Sequence, residues 1–207
     1  MKIIFASHNK GKIAELQALA QHFKLDIIPQ SQLNISEADE TGATFVENAL
    51  LKARHASEKS GMPAIADDSG IVVPYLQGAP GIISARYAGT HGDAQANIDK
   101  LLAELKDVSE ENRHAYFYCA LVYLESANDP TPLICEGIWH GHVLTSPQGV
   151  DGHGYDPIFY VAEQHCSAAE LSLEKKNLIS HRGQALRLLM DKFNQRYTRT
   201  EQCTHSK

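Results

Sequence analysis

Several short stretches of this sequence carry residue types that do chemistry. Ser7-His8-Asn9-Lys10-Gly11-Lys12 follows the apolar run Lys2 to Ala6. A helix starting there offers backbone amides and the positive end of a dipole, and Ser7, Asn9 and Lys12 add donors and a full charge. That is a phosphate site, although a polar turn in which Asn9 caps the helix fits the same residues equally well. Asp67-Asp68-Ser69-Gly70 follows the apolar Ala64-Ile65-Ala66. Adjacent carboxylates at a strand end hold a hard cation such as Mg2+, which takes oxygen ligands and keeps several waters. Such a cation brings a phosphate and an attacking water together. A solvated acidic turn is the competing reading, and two acids in a row after an apolar strand favour the functional one. Glu40 and Glu47 are candidates to complete the acidic cluster.

Asn48 and Lys52 are four apart and share a helix face, which by itself reads as an ordinary wet surface. Asp151-Gly152-His153-Gly154-Tyr155-Asp156-Pro157 is a glycine-bearing loop with two rings and a carboxylate. Rings stack on a base and a carboxylate reads its edge; equally, the rings simply pack. Lys175-Lys176 and Ser180-His181-Arg182-Gly183 lie at a helix junction, where basic residues also serve as C-terminal caps. No Gly-x-x-x-x-Gly-Lys-Ser/Thr occurs, and Gly152-His153-Gly154 lacks the third glycine of a dinucleotide fingerprint. The histidines show no His-x-x-x-His or His-Glu-x-x-His spacing and the cysteines no Cys-x-x-Cys pair, so neither a zinc site nor a disulfide framework is indicated.

These loops need elements to hold them. Ile13, Leu16, Ala20 and Phe23 recur at helical spacing and predict a helix over 12–23, followed by a strand over 25–29 and a polar loop over 31–40. Thr44-Phe45-Val46-Glu47 fits a capping box, opening a helix that stops at Gly61. Ala64-Ile65-Ala66 reads as a short strand ending at the aspartates, with Ile71 to Val73 extending or re-pairing it. Asp93 caps a helix whose apolar face is Ile98, Leu101, Leu102 and Leu105. Tyr116–Leu124 and Leu133–Thr145 flank Asn128-Asp129-Pro130 and predict an antiparallel pair. A strand over 158–161, a capping box at Ser167 to Glu170 and a terminal helix over 184–193 complete the pattern. Strands alternating with helices make an α/β fold, which places ligands at strand ends.

The 207 residues, 43% hydrophobic and 21% charged, are those of an ordinary globular domain. A net charge of −6 argues against a protein built to neutralise nucleic acid, while a few lysines in one pocket still allow a small anion. The longest apolar run, Tyr118 to Leu124, is too short to span a membrane, and Met1 to Ala6 is too short for a signal peptide. The expectation is a soluble, cytoplasmic protein with reduced thiols.

Taken together, the loops resemble the inosine triphosphate pyrophosphatase family over Lys2 to about Leu189. The resemblance rests on Ser7-x-Asn9-x-x-Lys12, Thr41-Gly42-x-Thr44-Phe45-x-Glu47-Asn48-Ala49, Ala66-Asp67-Asp68-Ser69-Gly70, Ala79-Pro80-Gly81-Ile82-x-Ser84-Ala85-Arg86-Tyr87, Gly154-Tyr155-Asp156-Pro157-Ile158-Phe159 and Ser180-His181-Arg182-Gly183. It implies a two-lobed single α/β domain around a long central mixed sheet flanked by helices, and a homodimer; the domain is expected over 1–197, and the polar residues after Tyr197 read as a frayed tail over 198–207. It also implies Mg2+-dependent hydrolysis of noncanonical purine nucleoside triphosphates (ITP, dITP, XTP) to the monophosphate and pyrophosphate. By position, Ser7 to Lys12 and Lys52 hold the triphosphate, Glu40 and Asp68 bind the metal, and Asp68 takes the proton of the attacking water. Ser69, His153, Gly154, Tyr155, Asp156, Lys176, His181 and Arg182 form the nucleoside pocket. The chain departs from the family at His153, where a Phe is usual, and at Asp151-Gly152 before it. Competing readings are an Mg2+-dependent hydrolase of modified pyrimidine or ordinary triphosphates, and a nucleotide sensor without catalysis. The intact acidic cluster argues against the sensor.

Overall fold

Thr44 shows how local sequence writes an element. Its backbone is extended (φ −132°, ψ 159°) and its hydroxyl accepts the Glu47 N–H at 3.2 Å. The Glu47 carboxylate accepts in return from the Ala43 N–H at 2.8 Å and the Thr44 hydroxyl at 2.9 Å. One donor that the first helical turn cannot pair, the Glu47 N–H, is thereby satisfied, and the Ala43 N–H just before the cap finds a partner as well. The helix ends at Gly61, whose φ of +69° suits a residue without a Cβ and whose N–H reaches the Ser57 carbonyl. Glu47 is thus a cap rather than a member of the acidic cluster.

The computed structural model describes residues 2–22 and 25–204. The strands are β1 (Lys2–Phe5), β2 (Asp26–Pro29), β3 (Ala64–Val72), β4 (His114–Leu124), β5 (Leu133–Val143), β6 (Phe159–Val161) and β7 (Cys166–Ser167). The helices are α1 (Lys10–His22), α2 (Phe45–Ser60), α3 (Ala94–Glu104), α4 (Leu173–Ile179) and α5 (His181–Thr204). The strands form one seven-stranded sheet in the order β2-β1-β3-β4-β5-β6-β7. β1 runs parallel to β2 and β3, with Ile4 beside Ile28 and Ala64; β6 runs antiparallel to β5 and β7. The chain is a single α/β domain with a mixed sheet flanked by helices, as the sequence pattern predicts.

Phe23, expected to close the first helix, lies outside the described residues. α5 continues to Thr204, past the 184–193 stretch and into the residues read as a polar tail. β3 differs more instructively. The aspartates do not end a strand but lie within one that runs unbroken to Val72, because partners described below make their burial tolerable. Between β4 and β5, the Asp129 carboxylate accepts from the N–H groups of Glu125 and Thr131 at 3.1 and 2.8 Å and ties the turn.

By internal contacts the chain divides into two compact units. The first comprises residues up to Asp68, Ala120–Glu136 and Arg182 onward. Its core includes Ile3, Ile4, Phe5, Leu16, Ala53, Ile65 and Leu121, all buried. The second comprises Ser69–Cys119 and Gly137–His181, with Phe117, Trp139, Phe159, Leu101 and Ile158 at its centre. Among the described residues no helix is long and apolar enough to cross a membrane.

Candidate active site

Successive residues of a strand point to opposite faces, and that alternation separates the two aspartates of β3. Asp67 is buried and meets groups carried by α1 and α5. Its Oδ2 lies 3.1 Å from Lys12 Nζ and accepts from Arg182 Nε and Nη2, each at 3.2 Å. The same guanidinium donates through Nη1 to Glu15, which is also buried. Burial alone would raise the Asp67 pKa, but Lys12, Arg182 and Lys52 overcome it and hold the carboxyl far below the usual range. Asp67 is therefore an anion fixed among cations.

Asp68 meets α2 instead. Lys52 Nζ donates to its Oδ1 at 2.8 Å and to Glu40 at 2.9 Å, so the two carboxylates converge on a single ammonium. Asn48, fully buried, donates to Asp68 Oδ2 at 3.3 Å and accepts the Gly42 N–H at 2.8 Å. A Cβ on Gly42 would stand 2.8 Å from that Asn48 oxygen, so glycine is needed for the approach. Burial pushes the Asp68 pKa up, with Glu40 adding to the rise and Lys52 and Lys12 opposing it. Lys52 shows the complementary effect: burial lowers it, yet Asp68, Asp67 and Glu40 carry it above the ordinary lysine value. A buried carboxylate whose pKa is raised above the ordinary value holds a proton better than a free one, the character a general base needs.

The loop after β1 realises the capping role of Asn9. Asn9 Oδ1 accepts the Lys12 N–H, and Ser7 Oγ accepts the Asn9 N–H, both at 3.1 Å. Lys10 and Gly11 open α1, and the exposed His8 ring lies 3.2 Å from Glu37 and 3.1 Å from Gln30. The cap and the phosphate readings do not exclude each other, since the cap aims the helix start and Lys12 supplies the charge.

The second unit holds the remaining expected residues. Asp156 is buried, and its Oδ2 accepts from Lys176 Nζ at 2.6 Å and from the His153 N–H at 2.7 Å. The His153 ring nitrogen lies 4.0 Å from the same oxygen and its side chain is about one-third exposed. Gly152 and Gly154 take φ of +80° and +61°, which lets the loop turn tightly over Asp156. Tyr155 is buried and its hydroxyl donates to the Ser84 carbonyl at 2.8 Å. His181 is also buried and stacks on Phe117 with centroids 4.9 Å apart and planes 11° apart. Ser69 is half-buried in β3. Arg182, expected beside His181 at a nucleoside, is in the first unit with Asp67 and Glu15. Sequence reasoning read Asp67 only as a cation-binding neighbour of Asp68 and Asn48 only as a surface residue on the Lys52 face, and it passed over Glu15, whose buried partner Arg182 lies 167 residues away.

Among the described residues no group of three or more His, Cys, Asp or Glu side chains surrounds one point. Glu40 and Asp68 nevertheless fit a hard cation. They are oxygen donors already converging on a positive charge, and Mg2+ is usually held by one or two carboxylates with substrate phosphates and water completing its shell.

Residues 3–192 match the Ham1 family. The chain is 56% identical over 190 residues, 92% of its own length and 96% of the relative's, to a dITP/XTP pyrophosphatase of Pectobacterium atrosepticum. It is 50% identical over 197 residues, 95% and 98% of the two lengths, to a dITP/XTP pyrophosphatase of Vibrio cholerae. Among solved structures, a HAM1 protein from Coxiella burnetii matches with a TM-score of 0.86 at 45% identity, covering 94% of this chain and 99% of that one. A match that spans nearly the whole chain, in sequence and in fold alike, settles the kinship: the chain belongs to the Ham1 family.

Proposed function

We propose that this protein hydrolyses noncanonical purine nucleoside triphosphates, dITP, ITP and XTP, to the nucleoside monophosphate and pyrophosphate. Relatives carrying the dITP/XTP pyrophosphatase name support the reaction class. The observation that carries it in this chain is the convergence of Asp68 and Glu40 on Lys52. In-line attack at the α-phosphorus builds charge on phosphate oxygens, which preorganised cations stabilise. Lys12 and Lys52 supply that charge, and Ser7, His8, Asn9, Lys10 and Gly11 place backbone and side-chain donors around the triphosphate. Asp68, its pKa raised by burial, accepts the proton of the attacking water; Asn48 holds the carboxylate in position. Glu40 and Asp68 would hold Mg2+, which when bound neutralises triphosphate charge.

Ser69, His153, Gly154, Tyr155, Asp156, Lys176 and His181 form the nucleoside end of this reading, while Arg182 braces Asp67 in the first unit. Asp156 orients the buried donor of Lys176. A 6-oxo acceptor suits that donor, whereas the 6-amino group of adenine sets donor against donor, and a buried donor left unmatched supports strong discrimination. The functional form in this proposal is a cytoplasmic homodimer that binds neither nucleic acid nor membrane. Hydrolysis of modified pyrimidine or ordinary triphosphates is not favoured by the relatives' names. A panel of triphosphates incubated with protein and Mg2+ tests the proposal. Pyrophosphate should be released from dITP, ITP and XTP well ahead of dATP, dGTP and the pyrimidines, and equal release from dATP would refute it.

A further inference from the structure

Three histidines that the sequence spacing left scattered come together on one solvent face of the second unit. β4 and β5 are neighbours in the sheet, and the Val143 N–H donates to the Arg113 carbonyl at 2.9 Å, which sets His114 beside His142. Their ring centroids are 5.1 Å apart with planes at 79°. His140 shares a strand face with His142, two residues away, and its ring centroid is 5.8 Å from that of His114. His114 and His140 are exposed and His142 is half-buried. None of them takes part in the proposed hydrolysis.

From this placement we infer that His114, His140 and His142 form a binding site for a late first-row divalent metal ion such as Zn2+. The spacing suits one ion. A metal–nitrogen bond of about 2.0–2.1 Å puts each ring centroid roughly 3.2 Å from the metal, so two rings in tetrahedral array stand about 5.2 Å apart. The observed 5.1 Å for His114–His142 and 5.8 Å for His114–His140 bracket that figure. In their present rotamers the rings pack on one another rather than around a point. Capture turns the exposed His114 and His140 about their side-chain torsions toward His142. Imidazole nitrogen selects zinc, nickel or copper over Mg2+, so this site and the carboxylates of the first unit take different ions. Burial, together with the His142 and His140 rings, presses the His114 pKa below the ordinary value, which keeps that ring in its ligating neutral form at pH 7. His142 also lines a cavity of about 660 Å3 with Glu110, Glu111 and Arg113, two carboxylates against one guanidinium.

Calorimetric titration of Zn2+ into the full chain in excess Mg2+ tests the assignment. The native chain should take up one Zn2+ that His140→Gln or His142→Gln weakens at least tenfold, a ligand loss costing no less than the 10–100-fold of second-shell changes. The triple replacement of His114, His140 and His142 by Gln should abolish it, with melting temperature and pyrophosphate release in Mg2+ unchanged. A native chain that takes up no Zn2+, or a triple variant that keeps the native affinity and stoichiometry, overturns the assignment. Because pyrophosphate release is read separately, that result leaves the hydrolase proposal standing.

Discussion

Consider the replacement of Asp67 by Asn. The side chain is fully buried, and its Oδ2 is shared by Lys12 at 3.1 Å and by Arg182 at 3.2 Å. Asn keeps the volume but removes the charge that compensates two cations. Breaking a buried ion pair by removing one partner costs about 3–5 kcal/mol, because the surviving charge stays desolvated. Arg182 retains Glu15, and Lys12 is 17% exposed and able to turn toward water, so the low end applies here. A loss of about 3 kcal/mol in a chain of this size lowers the melting temperature by roughly 6–12 °C. Asp68→Asn should behave differently. The Asp68 pKa is raised on folding, so its charge does not stabilise the fold, and Lys52 keeps Glu40. That variant should melt within about 2 °C of the native chain. Calorimetric melts at pH 7 separate the two neighbours. The pH dependence adds a check on sign. The folded pKa of Asp67 lies below its unfolded value of about 3.9, so its stabilisation is complete above that pH and is lost as pH falls toward the folded value. The gap between native and Asp67→Asn melting temperatures should therefore narrow below about pH 4. An Asp67→Asn chain that melts with the native protein at pH 7 would refute the network argument.

Two other outcomes are expected. Lys12→Met and Lys52→Met should each weaken binding of a nonhydrolysable dITP analogue more than binding of dIMP, and equal losses for both ligands in a titration would mean that the lysines do not read the polyphosphate. His153→Ala should lower kcat/KM on ITP by roughly tenfold, since base–ring stacking is worth about 1–3 kcal/mol, while His153→Phe preserves it; a Phe variant as impaired as the Ala variant would show that the imidazole acts through Asp156 instead.

The elements that local chemistry writes were legible. Thr44, Gly61 and Asp93 marked helix ends because caps and C-terminal glycines satisfy backbone groups a few residues away. The strand pair around Asp129 was legible because its alternation and turn residues are local too. β3 was not, since two aspartates after an apolar triplet look like the end of a strand. What keeps them inside a strand is a lysine on α1, another on α2 and an arginine 115 residues away, and no window of sequence contains all three. The same limit hid the role of Asn48, whose partner Asp68 lies 20 residues on. Helical histidine spacings likewise could not find His114, His140 and His142, which adjoining strands assemble.

The central claim is that Asp68 activates the water in hydrolysis of a noncanonical purine triphosphate. Its most direct test is the rate of pyrophosphate release from saturating dITP in Mg2+ by the native chain and by Asp68→Asn, with fold and dITP affinity measured alongside. Loss of a general base costs about 10²–10⁴ in rate, so the variant should fold, bind dITP and turn over at least a hundredfold more slowly. An Asp68→Asn chain releasing pyrophosphate at near-native rate would contradict the account.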